Sequence, residues 1–126
     1  MSFNWAEFLT LADALLRDPN SPGPEEAALR SAISRAYYAA FCSGRNFARD
    51  KENFVPQGTA EDHKRLSVHF RKNRDRTRKK IATDLNRLRD YRNRADYDDV
   101  LPGRPISLAQ SSVAVARNVL KALNSL

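Results

Sequence analysis

Cysteine is almost absent from this sequence: the 126 residues include one, Cys42, which cannot form a disulfide within the chain. Because Cys42 lies inside an apolar helical pattern, we expect a small buried or interface residue in a reduced, cytoplasmic protein. No run of about 18 apolar residues occurs, so no transmembrane helix and no membrane partner are predicted. The N-terminus has no basic leader followed by an apolar stretch, and we therefore expect no signal peptide.

Residues that carry common enzyme chemistry are also scarce. The two histidines, His63 and His69, have a spacing that matches no standard pair of zinc ligands, and the four glycines form no phosphate-binding loop. No set of residues suggests a catalytic triad, so neither a metal nor another cofactor is predicted. We expect His63 to be a capping or core-edge residue and His69 to be exposed.

Three acidic residues leave two interpretations open. Asp96, Asp98 and Asp99 could hold a hard cation through their carboxylate oxygens. The favoured interpretation is that these carboxylates pair with Arg92 and Arg94 or end a helix.

Helical periodicity accounts for most of the chain. Apolar residues recur at spacings of three and four, and Pro, Gly and Asn separate the periodic segments. Helices are predicted over about residues 5–17, 24–48, 60–72 and 77–96, followed by a last helix that Ser107 caps. Residues 73–78 are too charged for a core and should be exposed. The prediction is one all-α domain over residues 1–126, an antiparallel bundle of four to five helices.

Positive charge is concentrated in one segment. Residues 61–94 contain thirteen basic and five acidic residues, a net charge of +8, whereas the whole chain has +7. A polyanionic partner such as RNA fits this asymmetry, and the alternative is a solvated face that only aids solubility. Within the segment, the residues that we predict to contact nucleic acid are Lys79, Lys80, Arg89 and Arg94.

The second predicted helix has two distinct faces. Tyr37 belongs to its apolar stripe and is predicted to pack in the core. Beside that stripe run Arg35, Tyr38, Cys42 and Arg45, which a partner subunit or a nucleic acid would cover. Arg35 and Tyr38 are therefore further candidates for nucleic-acid binding, although an interface or core-edge role for the tyrosine is the alternative.

Three segments together resemble one branch of the HEPN family of small helical-bundle proteins. These segments are Ser34-Arg35-Ala36-Tyr37-Tyr38-Ala39-Ala40-Phe41, His63 at the start of the next helix, and Arg92-Asn93-Arg94-Ala95-Asp96-Tyr97-Asp98. The resemblance implies a bundle of four or five helices that dimerises, so that the two signature helices form one shared basic cleft. Many family members are RNA-cleaving toxins, and some pair with a nucleotidyltransferase.

The family's nuclease motif is only half present in this chain. Arg92 and Asn93 match it, but no histidine follows, and Tyr97 or Asp98 occupies the place where the histidine is expected. A phenol with a reference pKa of about 10 is a poor base near neutral pH, and an aspartate is a weak one. The resemblance therefore predicts a dimer that binds RNA or a nucleotidyltransferase-type partner and lacks standard ribonuclease activity.

Two other functions stay open. The first is a metal-independent endoribonuclease toxin of a toxin–antitoxin or phage-defence system, in which Arg92 and Asn93 act with Tyr97 or Asp98. The second is an interaction module whose basic cleft contacts an acidic protein.

Overall fold

The computed structural model describes residues 2–20 and 24–126, which form five α-helices and no strand. The helices are α1 (Glu7–Arg17), α2 (Glu25–Lys51), α3 (Glu61–Arg71), α4 (Arg76–Tyr97) and α5 (Pro105–Asn124). The all-α bundle predicted from the periodicity is thereby confirmed, and each helix lies close to its predicted position.

Local chemistry explains where α4 and α5 begin. Asp75 precedes α4, and its side chain accepts a hydrogen bond of 3.0 Å from the Arg78 backbone amide, a typical N-terminal cap. The cap predicted at Ser107 is wrong. Helix α5 already begins at Pro105, because proline suits a first helical turn, and Arg104 precedes it without a side-chain cap.

The long helix α2 lies at the centre of the bundle and packs against α1, α4 and α5. Small residues such as Ala32, Ala36 and Ala40 are fully buried along it, which lets neighbouring helices approach closely. Near its C-terminal half, a Cβ atom at Gly44 would lie 3.5 Å from Leu66 and 3.7 Å from Phe70. The glycine therefore leaves room for α3, which packs chiefly on α4.

Helices α2 and α4 run antiparallel, since contacts join opposite ends of the two. At one end, the Arg30 guanidinium donates to the backbone carbonyls of Ala95, Asp98 and Asp99 at 3.0, 2.6 and 3.2 Å. These carbonyls lie at the end of α4 or just beyond it, where no following helical turn provides amide donors. The Arg30 side chain on α2 provides donors instead and so caps the C-terminus of α4. At the other end, Glu52 accepts two hydrogen bonds from Arg78, at 2.7 and 2.9 Å.

The Glu52–Arg78 pair corrects two predictions. Arg78 was expected in an exposed segment, but its side chain is only 12% exposed because the pair draws it against Phe70. His69 was also expected to be exposed, yet it is half-buried and its Nε2 lies 2.9 Å from Glu52. The hydrogen bonds from Arg78 are the main reason why the pKa of Glu52 is lowered, although burial opposes that change.

Candidate functional site

Arg92 lies on the face of α4 that meets α2. Its side chain is only 12% exposed, and its Cζ lies 5.4 Å from the ring centre of Tyr37 and 5.6 Å from that of Tyr38. Of the carboxylates expected to pair with Arg92, Asp96 does so, but the contact is long, at 3.7 Å between Nη1 and Oδ2. The Nε of Arg92 is buried and has no hydrogen-bond partner. The positive charge of Arg92 is therefore only partly compensated.

Arg89, about one turn earlier on α4, is compensated even less. The residue is half-buried, its Nε is buried without a hydrogen-bond partner, and no carboxylate of the described residues lies within 4 Å of it. Removing a cation from water is unfavourable unless a counter-charge or hydrogen bonds replace the solvent. Two guanidinium groups in this state, three residues apart on α4, have the charge and the free donors to bind an anion.

Two further arginines continue this surface on α2. The Cζ of Arg35 lies 4.7 Å from the Phe8 ring centre and 5.1 Å from the Tyr38 ring centre. The Tyr38 ring therefore has two guanidinium groups near it, those of Arg35 and Arg92. Arg45 lies 5.5 Å from Trp5 in the same way. Aromatic rings hold both arginines, and no described carboxylate lies within 4 Å of either. We call Arg35, Arg45, Arg89 and Arg92 the arginine cluster.

Cys42 lies beneath the cluster and is only 4% exposed, which confirms the expected buried thiol. Burial raises the pKa of this thiol, although Arg45 and Arg35 act in the opposite direction. Nucleophilic chemistry needs the thiolate, so Cys42 is a packing residue.

His63 on α3 lies at the cluster, although no helical periodicity of the sequence relates it to the arginines. Its Nδ1 is hydrogen-bonded to the hydroxyl of Tyr37, and its ring stacks on Phe41 with 4.2 Å between ring centres. Burial and, after it, the charges of Arg89 and Arg92 lower the pKa of His63 to about 4. The imidazole is therefore neutral near pH 7. The core-edge position was predicted, but only the packing of α3 on α4 brings His63 to these arginines.

Six of the ten predicted site residues lie outside this cluster. Asn93 is exposed, and Arg94 pairs with Asp90 at 3.1 Å. Tyr97 is 75% exposed, and Asp98 ends α4, where its backbone carbonyl binds Arg30.

The remaining two predicted residues lie near the other end of α4, about 20 Å from Arg92 along the helix axis. They are Lys79, which is exposed, and Lys80, which pairs with Asp84 at 3.2 Å. The structure thus brings together Arg35, Tyr38, Arg89 and Arg92.

A shallow groove of about 620 Å³ begins at Arg35 and runs between α1, α2 and the end of α4. Arg30 and Asp96 line it together with small and apolar residues. The groove provides open space beside the arginine cluster in which an extended ligand can lie.

Comparisons with protein-family models, curated proteins and solved structures found no match. In the described part of the chain, no three His, Cys, Asp or Glu side chains are grouped as metal ligands would be. No helix of residues 2–20 and 24–126 has both the length and the apolar character that crossing a membrane requires.

The neutral His63 makes a testable contribution to stability. Between about pH 6.5 and 4 the unfolded chain binds a proton at this histidine and the folded protein does not, so the free energy of unfolding falls as the pH is lowered through that range. The expected loss is about 1–2 kcal/mol, because the half-exposed ring reduces the effect of the full pKa shift. Urea unfolding at pH 7, 6 and 5 measures it.

The matched variant is His63→Gln, which has no titrating ring and should show a flatter dependence between pH 6.5 and 5. The range is limited because Glu52, whose pKa is lowered, adds its own loss of stability at more acidic pH. Equal pH slopes for the two proteins would show that His63 titrates normally in the fold.

Proposed function

We propose that this protein is a HEPN-like dimer that binds RNA through the arginine cluster and lacks the family's standard ribonuclease chemistry. One observation carries the proposal. Arg89 and Arg92 are half-buried, their Nε atoms have no partner, and the long contact with Asp96 is the one carboxylate contact of the pair in the described chain. A bound phosphate would supply the missing negative charge and the missing acceptors.

An extended polyanion fits this surface better than a single small anion. The four arginines of the cluster lie on two helices rather than at one point, and residues 61–94 have a net charge of +8. Charge spread in this way matches successive phosphates of a nucleic-acid backbone. The half-buried Tyr38 adds an aromatic ring at the cluster, a feature typical of sites that bind unpaired RNA bases.

Cleavage of RNA by 2′-hydroxyl attack requires a base that removes the 2′ proton. The two residues at the place of the family's histidine are poorly placed for that role, because Tyr97 is 75% exposed and Asp98 ends the helix. His63 is close to the arginines, but its Nδ1 is occupied by Tyr37. Donors for a phosphate are therefore abundant at the site, whereas a free base is not. This imbalance supports binding over catalysis.

The homodimer and a nucleotidyltransferase-type partner remain part of the proposal on the strength of the resemblance. In a dimer, the two arginine clusters would face each other and lengthen the basic surface. Light scattering at micromolar concentration is expected to give twice the chain mass of 14.3 kDa. A monomer at that concentration would contradict the dimer and the shared cleft.

RNA binding is expected to weaken steeply with salt. Contacts of four arginines with phosphates give a slope of about −2.8 in a plot of log K against log salt for single strands, or about a 50-fold loss of affinity between 50 and 200 mM. Fluorescence anisotropy of a labelled single-stranded RNA measures this slope. The DNA strand of the same sequence tests whether the 2′-hydroxyl matters.

Two outcomes would contradict RNA binding by the arginine cluster: no RNA binding at 50 mM salt, or an affinity that does not change with salt. Binding to an acidic protein without binding to RNA would favour the interaction module instead.

A further inference from the structure

We infer that His63 is a neutral hydrogen-bond donor of the RNA site, held by Tyr37 as the Nε2–H tautomer and directed to a phosphate oxygen beside Arg89 and Arg92. The inference rests on the proposed function, since the ligand is a phosphodiester of the bound RNA. It assigns a role to a residue that the helical pattern of the sequence does not connect with the site.

The environment of Tyr37 decides the tautomer. Tyr37 is 1% exposed, and the partner of its hydroxyl among the described residues is Nδ1 of His63. If Nδ1 carried the proton and donated it, the hydroxyl hydrogen of Tyr37 would be buried without an acceptor, which is unfavourable. The arrangement that satisfies both groups has the hydroxyl donating to Nδ1. In a neutral ring the proton then lies on Nε2.

The proton on Nε2 is accessible to a ligand, and the ring that carries it is held in place. Nε2 has no hydrogen-bond partner among the described residues. It is also not fully buried, since the only buried side-chain nitrogens without a partner in the described residues are the Nε atoms of Arg78, Arg89 and Arg92. Phe41 stacks on the imidazole and Tyr37 anchors its other nitrogen, so the ring orientation is fixed. A donor that needs no rearrangement on binding contributes more to affinity than a mobile one.

The two arginines explain why a neutral donor suits this place. A third positive charge beside Arg89 and Arg92 would be repelled, and their charges together with burial keep the pKa of His63 far below neutrality. A neutral N–H contributes a hydrogen bond to an anion without this repulsion. Because the proton already occupies Nε2, that nitrogen cannot accept the proton of a 2′-hydroxyl, which agrees with binding rather than cleavage.

Two measurements test the inference. Long-range ¹⁵N–¹H NMR of the free wild-type protein at pH 7 should show His63 as the Nε2–H tautomer, and Tyr37→Phe should convert it to a mixture. In anisotropy titrations with single-stranded RNA, His63→Ala should weaken binding about tenfold, the effect expected for one hydrogen bond to a charged group. His63→Gln should retain most of the affinity, because its side-chain amide is also a neutral donor.

The matched control is His69→Gln, which changes the other histidine. Because His69 lies beside Glu52 and outside the arginine cluster, this substitution should leave RNA affinity unchanged. An Nδ1–H tautomer in the wild type would overturn the inference, as would His63→Ala binding RNA like the wild type. The proposed function fails separately: it fails if the wild type binds no RNA, and it survives if Arg92→Ala loses binding while His63→Ala does not. Thermal unfolding of each variant shows whether it is folded, and the NMR measurement on the wild type needs no substitution.

Discussion

Replacing Arg92 by alanine is expected to weaken RNA binding about 100-fold, because the substitution removes charge-assisted hydrogen bonds to a phosphate from a cation that is only 12% exposed. The fold should survive, since the pair with Asp96 is long and Nε has no partner to lose. Removing a buried, poorly compensated charge should leave stability within about 1 kcal/mol of the wild type. Anisotropy with single-stranded RNA and urea unfolding measure the two effects.

The matched control is Arg94→Ala, two residues later on α4. Arg94 is exposed and pairs with Asp90, so we expect less than about a threefold loss of RNA affinity. Arg92→Lys should recover only part of the binding, because lysine keeps the charge but cannot make the bidentate contact of a guanidinium. Equal losses for Arg92→Ala and Arg94→Ala would show that binding depends on net charge alone and that no specific site exists.

The same variants decide between binding and cleavage. RNA incubated with the wild type, Arg92→Ala and Tyr97→Phe should stay intact in all three reactions. If the wild type cleaves RNA and Arg92→Ala does not, the non-catalytic proposal is overturned. If Tyr97→Phe also fails to cleave RNA, Tyr97 takes part in the chemistry. Expression in a growing culture provides an independent readout, because an endoribonuclease toxin of this kind should stop growth.

Phe70→Ala should lower the free energy of unfolding by about 3–5 kcal/mol, the largest effect on stability that we expect of a single substitution here. Phe70 is fully buried on α3 and lies opposite Gly44, where no side chain is present to fill the space. Its ring is also near Phe47, at 6.4 Å between ring centres, and beneath the Arg78 guanidinium, at 5.1 Å. The Glu52–Arg78 pair holds its surroundings in place, so the cavity cannot collapse easily.

Val68→Ala is the control for Phe70→Ala, because Val68 lies on the same helix and is 46% exposed. Its substitution should change stability by less than about 1 kcal/mol. Urea denaturation followed by circular dichroism, at one protein concentration for all variants, compares them. A loss below about 1 kcal/mol for Phe70→Ala would mean that α3 contributes little to the cooperative fold.

The parts of the candidate site that depend on neighbours along one helix are predictable from the sequence. The contact of Arg92 with Asp96 joins residues four apart, so the helical pattern was enough to predict it. Tyr37 and Tyr38 were assigned to different faces of α2 by the same argument, and they are respectively buried and half-buried. The resemblance to the HEPN family also pointed to Arg92.

The sequence failed where residues from different helices meet. His63 precedes Arg89 and Arg92 by 26 and 29 residues, and no periodicity relates them. The exposed position predicted for His69 was wrong for the same reason, since Glu52 reaches it from the end of α2. Arg30 likewise had no predicted role, although it caps α4.

By itself, the sequence of this protein determined its helices, their buried stripes and the excess of positive charge in residues 61–94, because these properties depend on neighbouring residues and on composition. Only the tertiary structure decided which charges are compensated. Glu52 neutralises Arg78 across the bundle, whereas Arg89 and Arg92 face tyrosine and histidine rings instead of a close carboxylate. Compensation of a buried charge depends on groups brought within a few ångströms by helix packing, and the order of residues along the chain does not encode that distance directly.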